Sequence, residues 1–288
     1  MICTGSNCSA LSGSLTQLCD GTSYLVAGDN VSIASQSNGS ILITVPGDML
    51  AAVGGCIFDL NPINAYSTNL SGTYVETMRN SAVVQMKNTL LTGSSHRPTL
   101  SASKLSFVGS TTSADAATQF LINSGTLPTE WSDTFTCSSQ EWKEWTIFVD
   151  CQATATPSVT QTIVVLGKPS GGSLGQIALY TTTTTFGLAV YTDVSSDAYV
   201  FGTLDTNRHV FEFSSDGAGH LNGWFDGGQV ITNAVNFRPQ TISKLIVGAG
   251  FGGALPPTDQ YNGKITRVLF FPRNMNTIER QAIRTYLG

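Results

Sequence analysis

The stretch Gln260–Gly288, QYNGKITRVLFFPRNMNTIERQAIRTYLG, constrains the fold more than any other part of the chain. It reads as a strand, a turn, another strand and then a short capped helix. Ile265, Val268, Leu269, Phe270 and Phe271 form an apolar run suited to a strand, and Pro272 stops it because proline has no N–H for a sheet ladder. Asn276, followed three residues later by Glu279, is an N-cap with its reciprocal partner. Ile278, Ala282, Ile283, Tyr286 and Leu287 then recur at helical spacing. They predict one apolar stripe on a core, with Arg280 and Arg284 on the opposite side.

A chain of 288 residues holds one large β domain or two smaller ones, with a sizeable core in either case. Only 11% of it is charged, while Gly, Ser and Thr abound, which is the profile of a β-rich protein with many tight turns. The net charge of -5, with no cluster of Lys and Arg, excludes a phosphate backbone as partner. Met1 to Ser6 has neither a positive start nor an apolar stretch, so no export signal is expected there. No window approaches the roughly 18 apolar residues that span a bilayer. Cys3, Cys8, Cys19, Cys56, Cys137 and Cys151 contain no C-x-x-C pair, and His96, His209 and His220 are isolated, so no zinc pattern arises. Buried thiols are the expectation in a reducing compartment; a disulfide formed after release, or a link between chains through the N-terminal trio, is the alternative.

Residues 1–48 differ from the rest. Val31-Ser32-Ile33, a Ser37-Asn38-Gly39-Ser40 turn and Ile41 to Val45 predict a β-hairpin, which is marginal alone and needs partners. The stretch Thr22–Thr44 resembles short β segments near the attachment end of phage fibre and appendage proteins. From about Leu50 the order of segments changes character. Cys56 to Leu60 opens with a strand, and Gly72 to Asn80 follows as an irregular one. Arg97-Pro98-Thr99-Leu100 and Leu105-Ser106-Phe107-Val108-Gly109 come next, with Phe107 expected between sheets and Gly109 at a tight turn. Trp145 to Val149 alternates and is extended by Thr162 to Leu166. Ile177–Tyr180 and Phe186–Tyr191 flank the threonine run 181–185 as a hairpin. His209–Phe213 puts Val210 and Glu212 on one face and Phe211 and Phe213 on the other. Turns at Ser215–Gly219 and Asp226–Gly228 then separate strands that lead, through Lys244–Gly248 and Tyr261–Ile265, to the closing helix. This series resembles the laminin-G-like, concanavalin-A-like jelly rolls. The resemblance implies an all-β antiparallel sandwich over 49–288, used mainly for adhesion.

Some sandwiches of this kind cleave sugars with two carboxylates at about 5–9 Å across the scissile bond. The nearest pattern is Glu141-Trp142-Lys143-Glu144-Trp145, but residues three apart on a strand face opposite sides. Lys143 would also compete for either charge. No serine sits in a G-x-S-x-G elbow. Calcium wants six to eight oxygens, and no D-x-D-x-D-G loop supplies them. Asp216, Asp226 and Asp259 are expected to brace their own turns, and Asp193 and Asp197 flank another. No catalytic residue, metal or cofactor is therefore expected. Carbohydrate binding is the most credible chemistry, since it needs an exposed aromatic face and a few convergent polar groups. Trp145 and Trp224 fall in strands and are read as core, which leaves Trp131 and Trp142 as ligand candidates.

The resulting expectation is a phage virion protein of structure and adhesion, made in the host cytoplasm. Its segment 1–48 would anchor or trimerise, and its sandwich would project outward towards a host-surface glycan. The alternatives are a capsid-stabilising decoration protein that binds no glycan and a carbohydrate-active hydrolase on the same fold.

Overall fold

The computed structural model describes residues 32–35, 41–44, 53–62, 68–71, 74–80, 84–87, 98–101, 104–108, 119–123, 127, 144–167, 176–191, 196–234, 244–250 and 258–288. The chain divides into two units, Met1–Ala52 and Val53–Gly288. In the first, β1 (Ser32–Ser35) and β2 (Ile41–Thr44) pair antiparallel, with Ser32 opposite Thr44 and Ser35 opposite Ile41. This is the hairpin expected there; its Asn38-Gly39 turn lies outside the described residues.

The second unit is an antiparallel β-sandwich. It begins with β3 (Phe58–Leu60), β4 (Thr68–Ser71), β5 (Tyr74–Asn80), β6 (Val84–Lys87), β7 (Thr99–Ser101), β8 (Lys104–Phe107) and β9 (Leu121–Asn123). Next come β10 (Glu144–Ala153), β11 (Gln161–Gly167), β12 (Gln176–Thr181), β13 (Thr185–Tyr191) and β14 (Ser196–Thr203). The chain closes with β15 (Arg208–Asp216), β16 (Leu221–Phe225), β17 (Gly228–Ala234), β18 (Lys244–Val247), β19 (Gly263–Phe271) and helix α1 (Thr277–Leu287). The front layer runs β4-β5-β6-β9-β18-β11-β12-β13-β14. The back layer runs β17-β16-β15-β10-β19, with β3 and β8 both on the far side of β19. The β7–β8 hairpin joins the layers, because Thr99 of β7 pairs with Tyr74 of β5. Trp145–Val149 and Thr162–Leu166, read from sequence as one extended segment, are thus strands of opposite layers.

Strand alternation decides what fills the space between layers. Phe211 and Phe213 enter it from β15, Val164 and Leu166 from β11, and Leu188 and Val190 from β13. The Phe186 and Phe201 rings lie 5.0 and 5.3 Å from that of Phe211. Trp145 is buried edge-on to Phe213, as a core tryptophan should be. Phe107 is buried as expected and leans on Gly248, whose φ of 86° and missing Cβ make room for the ring. Gly109 lies outside the described residues. Cys151 is buried and Cys56 half-buried, both free thiols, with burial raising the pKa of each. Cys3, Cys8, Cys19 and Cys137 lie outside the described residues.

Helix α1 covers the outer face of the back layer, and it corrects the sequence reading of its two sides. Its capping box forms as expected: the Asn276 side chain accepts from the Ile278 and Glu279 N–H groups, and Glu279 accepts from the Asn276 N–H. Ile283 and Leu287 are buried, but Ile278 is 81% exposed. Arg280 and Arg284 do not face solvent. Positions 280, 283, 284 and 287 share one helical face, and both guanidiniums reach the carboxylate of Glu212, at 2.8 and 2.6 Å. Glu212 is fully buried on the outward side of β15 beside Trp224, and Arg280 stacks over that indole at 3.8 Å. Further ion pairs brace the same face: Arg267 with Asp59, and Arg208 with Asp150. Arg208 also donates to the carbonyls of Leu287 and Gly288, a favourable place for a cation at a helix C-terminus. Trp224 is therefore buried, as expected, but under the helix and not between the layers.

Candidate functional site: a tyrosine-walled cleft on the front layer

The front layer has a second face, turned away from the core, and the candidate site lies there. Along β12 and β13, Ile177, Leu179, Leu188 and Val190 enter the core while Ala178, Tyr180, Ala189 and Tyr191 point the other way. Pairing sets Val165, Ala178, Ala189 and Ala198 side by side across four strands. A row of small side chains in a pleated sheet leaves a trough. The rows beside it are tall, with Tyr180 on one side and Gln176 paired with Tyr191 on the other. The result is a cleft of about 310 Å³, whose lining also includes Thr160, Thr162, Gly250 and Asp259.

Glycines let the walls lie where they do. The Tyr180 ring lies across Gly187, where an added Cβ would come within 2.6 Å of its Cζ. Gln176 lies across Gly167 in the same manner, with its Cγ 2.5 Å from where that Cβ would sit. Gln176 is only 6% exposed, yet its side-chain amide has no hydrogen-bond partner among the described residues. The amide atoms still reach solvent, so water serves them in the free protein. The amide's donor and acceptor are therefore available inside the cleft.

The charges of the cleft are acidic. Asp259 is held in the left-handed region, with φ at 52°, by the Thr162 N–H donating to its carbonyl at 2.7 Å and by the bridge between Gly250 and Thr258. Burial raises its carboxyl pKa from the ordinary value, against a hydrogen bond from Thr258. Tyr180 has its phenol pKa raised by burial and then by Tyr191 across the trough, so its hydroxyl stays neutral at ordinary pH. Among the described residues no lysine, arginine or histidine lines the cleft.

The sequence-selected residues fare unevenly. Trp131 and Trp142, together with Glu141 and Asp193, lie outside the described residues. Glu144 is exposed at the start of β10, opposite Asp216. Asp216 braces its turn as expected, accepting from the Ala218 and His220 N–H groups. Asp226, at the β16–β17 turn, instead holds strand β15: it accepts from the Val210 N–H, with His209 held between it and Asp205. Asp259 departs from that expectation, because its carboxylate lies beside Gly250 in the lining of the cleft, whereas Asp197 opposes core-facing Val190 on β13. No group of three or more His, Cys, Asp or Glu placed to hold a metal occurs among the described residues. Tyr180, Tyr191 and Gln176 were not legible as a site from sequence, although a signal exists. Ala178-Leu179-Tyr180 and Ala189-Val190-Tyr191 repeat one Ala-x-Tyr pattern on paired strands, so both alanines and both tyrosines share a face.

No protein-family profile and no curated protein matches the chain. Solved structures do, and they show the fold. One is botulinum neurotoxin type C, in a structure concerned with its dependence on two ganglioside molecules (10% identity, TM-score 0.55, covering 84% of this chain and 53% of that one). Another is the binding domain of botulinum neurotoxin DC in complex with rat synaptotagmin II (10% identity, TM-score 0.55, covering 81% and 52%). A third is Trypanosoma rangeli sialidase with 2,3-difluorosialic acid (12% identity, TM-score 0.54, covering 81% and 33%). The chain spans about half the length of the two toxin structures and a third of the sialidase.

Proposed function

We propose that the sandwich binds saccharides through the front-layer cleft, without turning them over. The observation that carries this is a pair of tyrosines flanking an alanine floor beside an amide that reaches solvent and has no protein partner among the described residues. Sugar rings offer C–H faces to aromatic rings and hydroxyls to amides and carboxylates, and the cleft supplies each of these. A sandwich of the same architecture occurs in a toxin studied with gangliosides, which supports the reading at the level of fold. Binding of the full chain to a glycan array tests it: retention on a defined subset of glycans is expected, and retention on none contradicts it. The same glycans incubated with the protein should release no new reducing ends. Steady release would favour the hydrolase reading, for which Asp259 would be the acid to test first.

The setting we propose is a phage particle, with residues 1–48 anchoring or trimerising the protein and the sandwich displayed outward. The support is the resemblance of Thr22–Thr44 to attachment segments, together with the hairpin that forms within it. Three linked sandwiches would turn weak sugar contacts into useful avidity. Native mass measurement of the full chain should give a trimer. A monomer would contradict the assembly role, and a trimer that retains no glycan would favour a decoration protein.

A further inference from the structure

We infer that the cleft takes the free end of a glycan chain, with the terminal sugar over Ala178 and Ala189 and the rest of the chain leaving over Ala198, past the edge strand β14. The inference rests on the glycan-binding reading above and specifies which part of a glycan the site holds. The trough is asymmetric. Its floor crosses four strands through Val165, Ala178, Ala189 and Ala198, three strand spacings or about 14 Å. The register continues the same row onto Ile246 of β18 and Ile122 of β9. Both isoleucines share the outward face with the alanines, yet Ile246 is 0% and Ile122 4% exposed. On this side the floor rises from methyl groups to larger side chains that are already closed off from solvent. On the other side Ala198 is exposed, and among the described residues no strand pairs with the outer edge of β14.

A trough blocked at one end and open at the other accepts a chain by its terminus. An internal sugar carries a neighbour on both sides, and one of the two would have to displace the packing over Ile246 or climb out across a wall. Either course lifts the sugar between them off the alanine floor and away from the tyrosine rings. Polar groups stand on the blocked side as well. The Thr162 hydroxyl and the Asp259 carboxylate lie together beside Gly250, where an added Cβ would come within 2.5 Å of Thr162 Oγ1 and 3.6 Å of Asp259 Oδ2. A terminal sugar presents to them the hydroxyl that an internal sugar spends on its next linkage. That hydroxyl donates to either oxygen, whereas a glycosidic oxygen has no hydrogen to give.

The test uses the full chain with the terminal trisaccharide of the best-retained array glycan in two forms, one with its end sugar free and one with that end capped by a further sugar. The terminal monosaccharide is measured beside them. The free-ended form should bind at least about tenfold more tightly than the capped one. Equal binding of the two overturns end recognition while leaving the cleft as a glycan site. In Ala198→Ile the new side chain obstructs the open end, so affinity for the free-ended trisaccharide should fall about fivefold relative to that for the monosaccharide. A fall shared equally by both, or none in either, overturns the exit across β14. Isoleucine suits an extended edge strand, so the fold should hold; if it does not, the capping comparison on the parent chain decides alone. Absence of binding to every form overturns the glycan-binding reading itself, and this inference with it.

Discussion

Glu212→Ala should lower the stability of the sandwich by about 3–5 kcal/mol, seen as a lower urea midpoint at an unchanged slope. Glu212 is fully buried and holds Arg280 and Arg284, whose side chains are 12% and 21% exposed. Removing the carboxylate leaves two guanidiniums over an apolar surface with little water to replace it. Arg280 keeps its place over Trp224, but the link that ties the middle of α1 to β15 is gone. Glu212→Gln should cost less, since the amide keeps the volume and one acceptor. A loss below about 1 kcal/mol for Glu212→Ala would mean that the arginines are solvated and that the helix is held by Ile283 and Leu287 alone.

The same residue sets a pH dependence. Burial raises the Glu212 carboxyl pKa to about 7, with Arg280 and Arg284 opposing the rise. The folded state therefore keeps this proton to a higher pH than the unfolded chain does. Its contribution to stability is full below the ordinary carboxylate range and is lost as pH rises through about 7. His209 acts in the same direction. Burial alone would lower its pKa, but Asp226 and Asp205 raise it, so its contribution also fades as pH rises through the folded value. The fall in melting temperature between pH 5 and pH 8 should accordingly be smaller in Glu212→Gln than in the parent chain.

Tyr180→Ala should weaken glycan binding about thirtyfold, the scale of truncating a central aromatic anchor, worth about 2 kcal/mol. The ring is half-exposed and lies on the outer face, so the fold should lose little. Gly187→Ala provides an independent approach to the same wall. Its new Cβ would fall 2.6 Å from the Tyr180 Cζ, and the ring, as the outer end of a side chain, must swing out of the trough. Binding should then drop with Tyr180 still present, while thermal stability moves little. A Gly187→Ala variant that binds like the parent would show that the position of this ring is immaterial to recognition.

Much of the architecture was legible because strand alternation and turn chemistry are local. The Asp226-Gly227 turn illustrates this: both residues have positive φ, 48° and 86°, as a tight two-residue hairpin turn requires. The capping box of Asn276 and Glu279 was legible for the same reason. The buried side of α1 was not, because the partner that draws Arg284 inward is Glu212, 72 positions away. A rule that sends arginines to solvent fails where a buried carboxylate waits for them. The assignment of β10 and β11 to opposite layers was hidden likewise, since alternation does not say which strands pair. The cleft depends on register, and only once Ala178, Ala189 and Ala198 are aligned does a trough exist. Attention to tryptophan in polar loops selected Trp131 and Trp142, whereas the described aromatic walls are tyrosines on regular strands.

The location of a bound saccharide tests the central claim most directly. Crystals of the protein soaked with the best-retained glycan of the array should show the sugar between Tyr180 and Tyr191, with the Gln176 amide bonded to one of its polar groups. A sugar seated anywhere else, including against Trp131 or Trp142, would contradict the account.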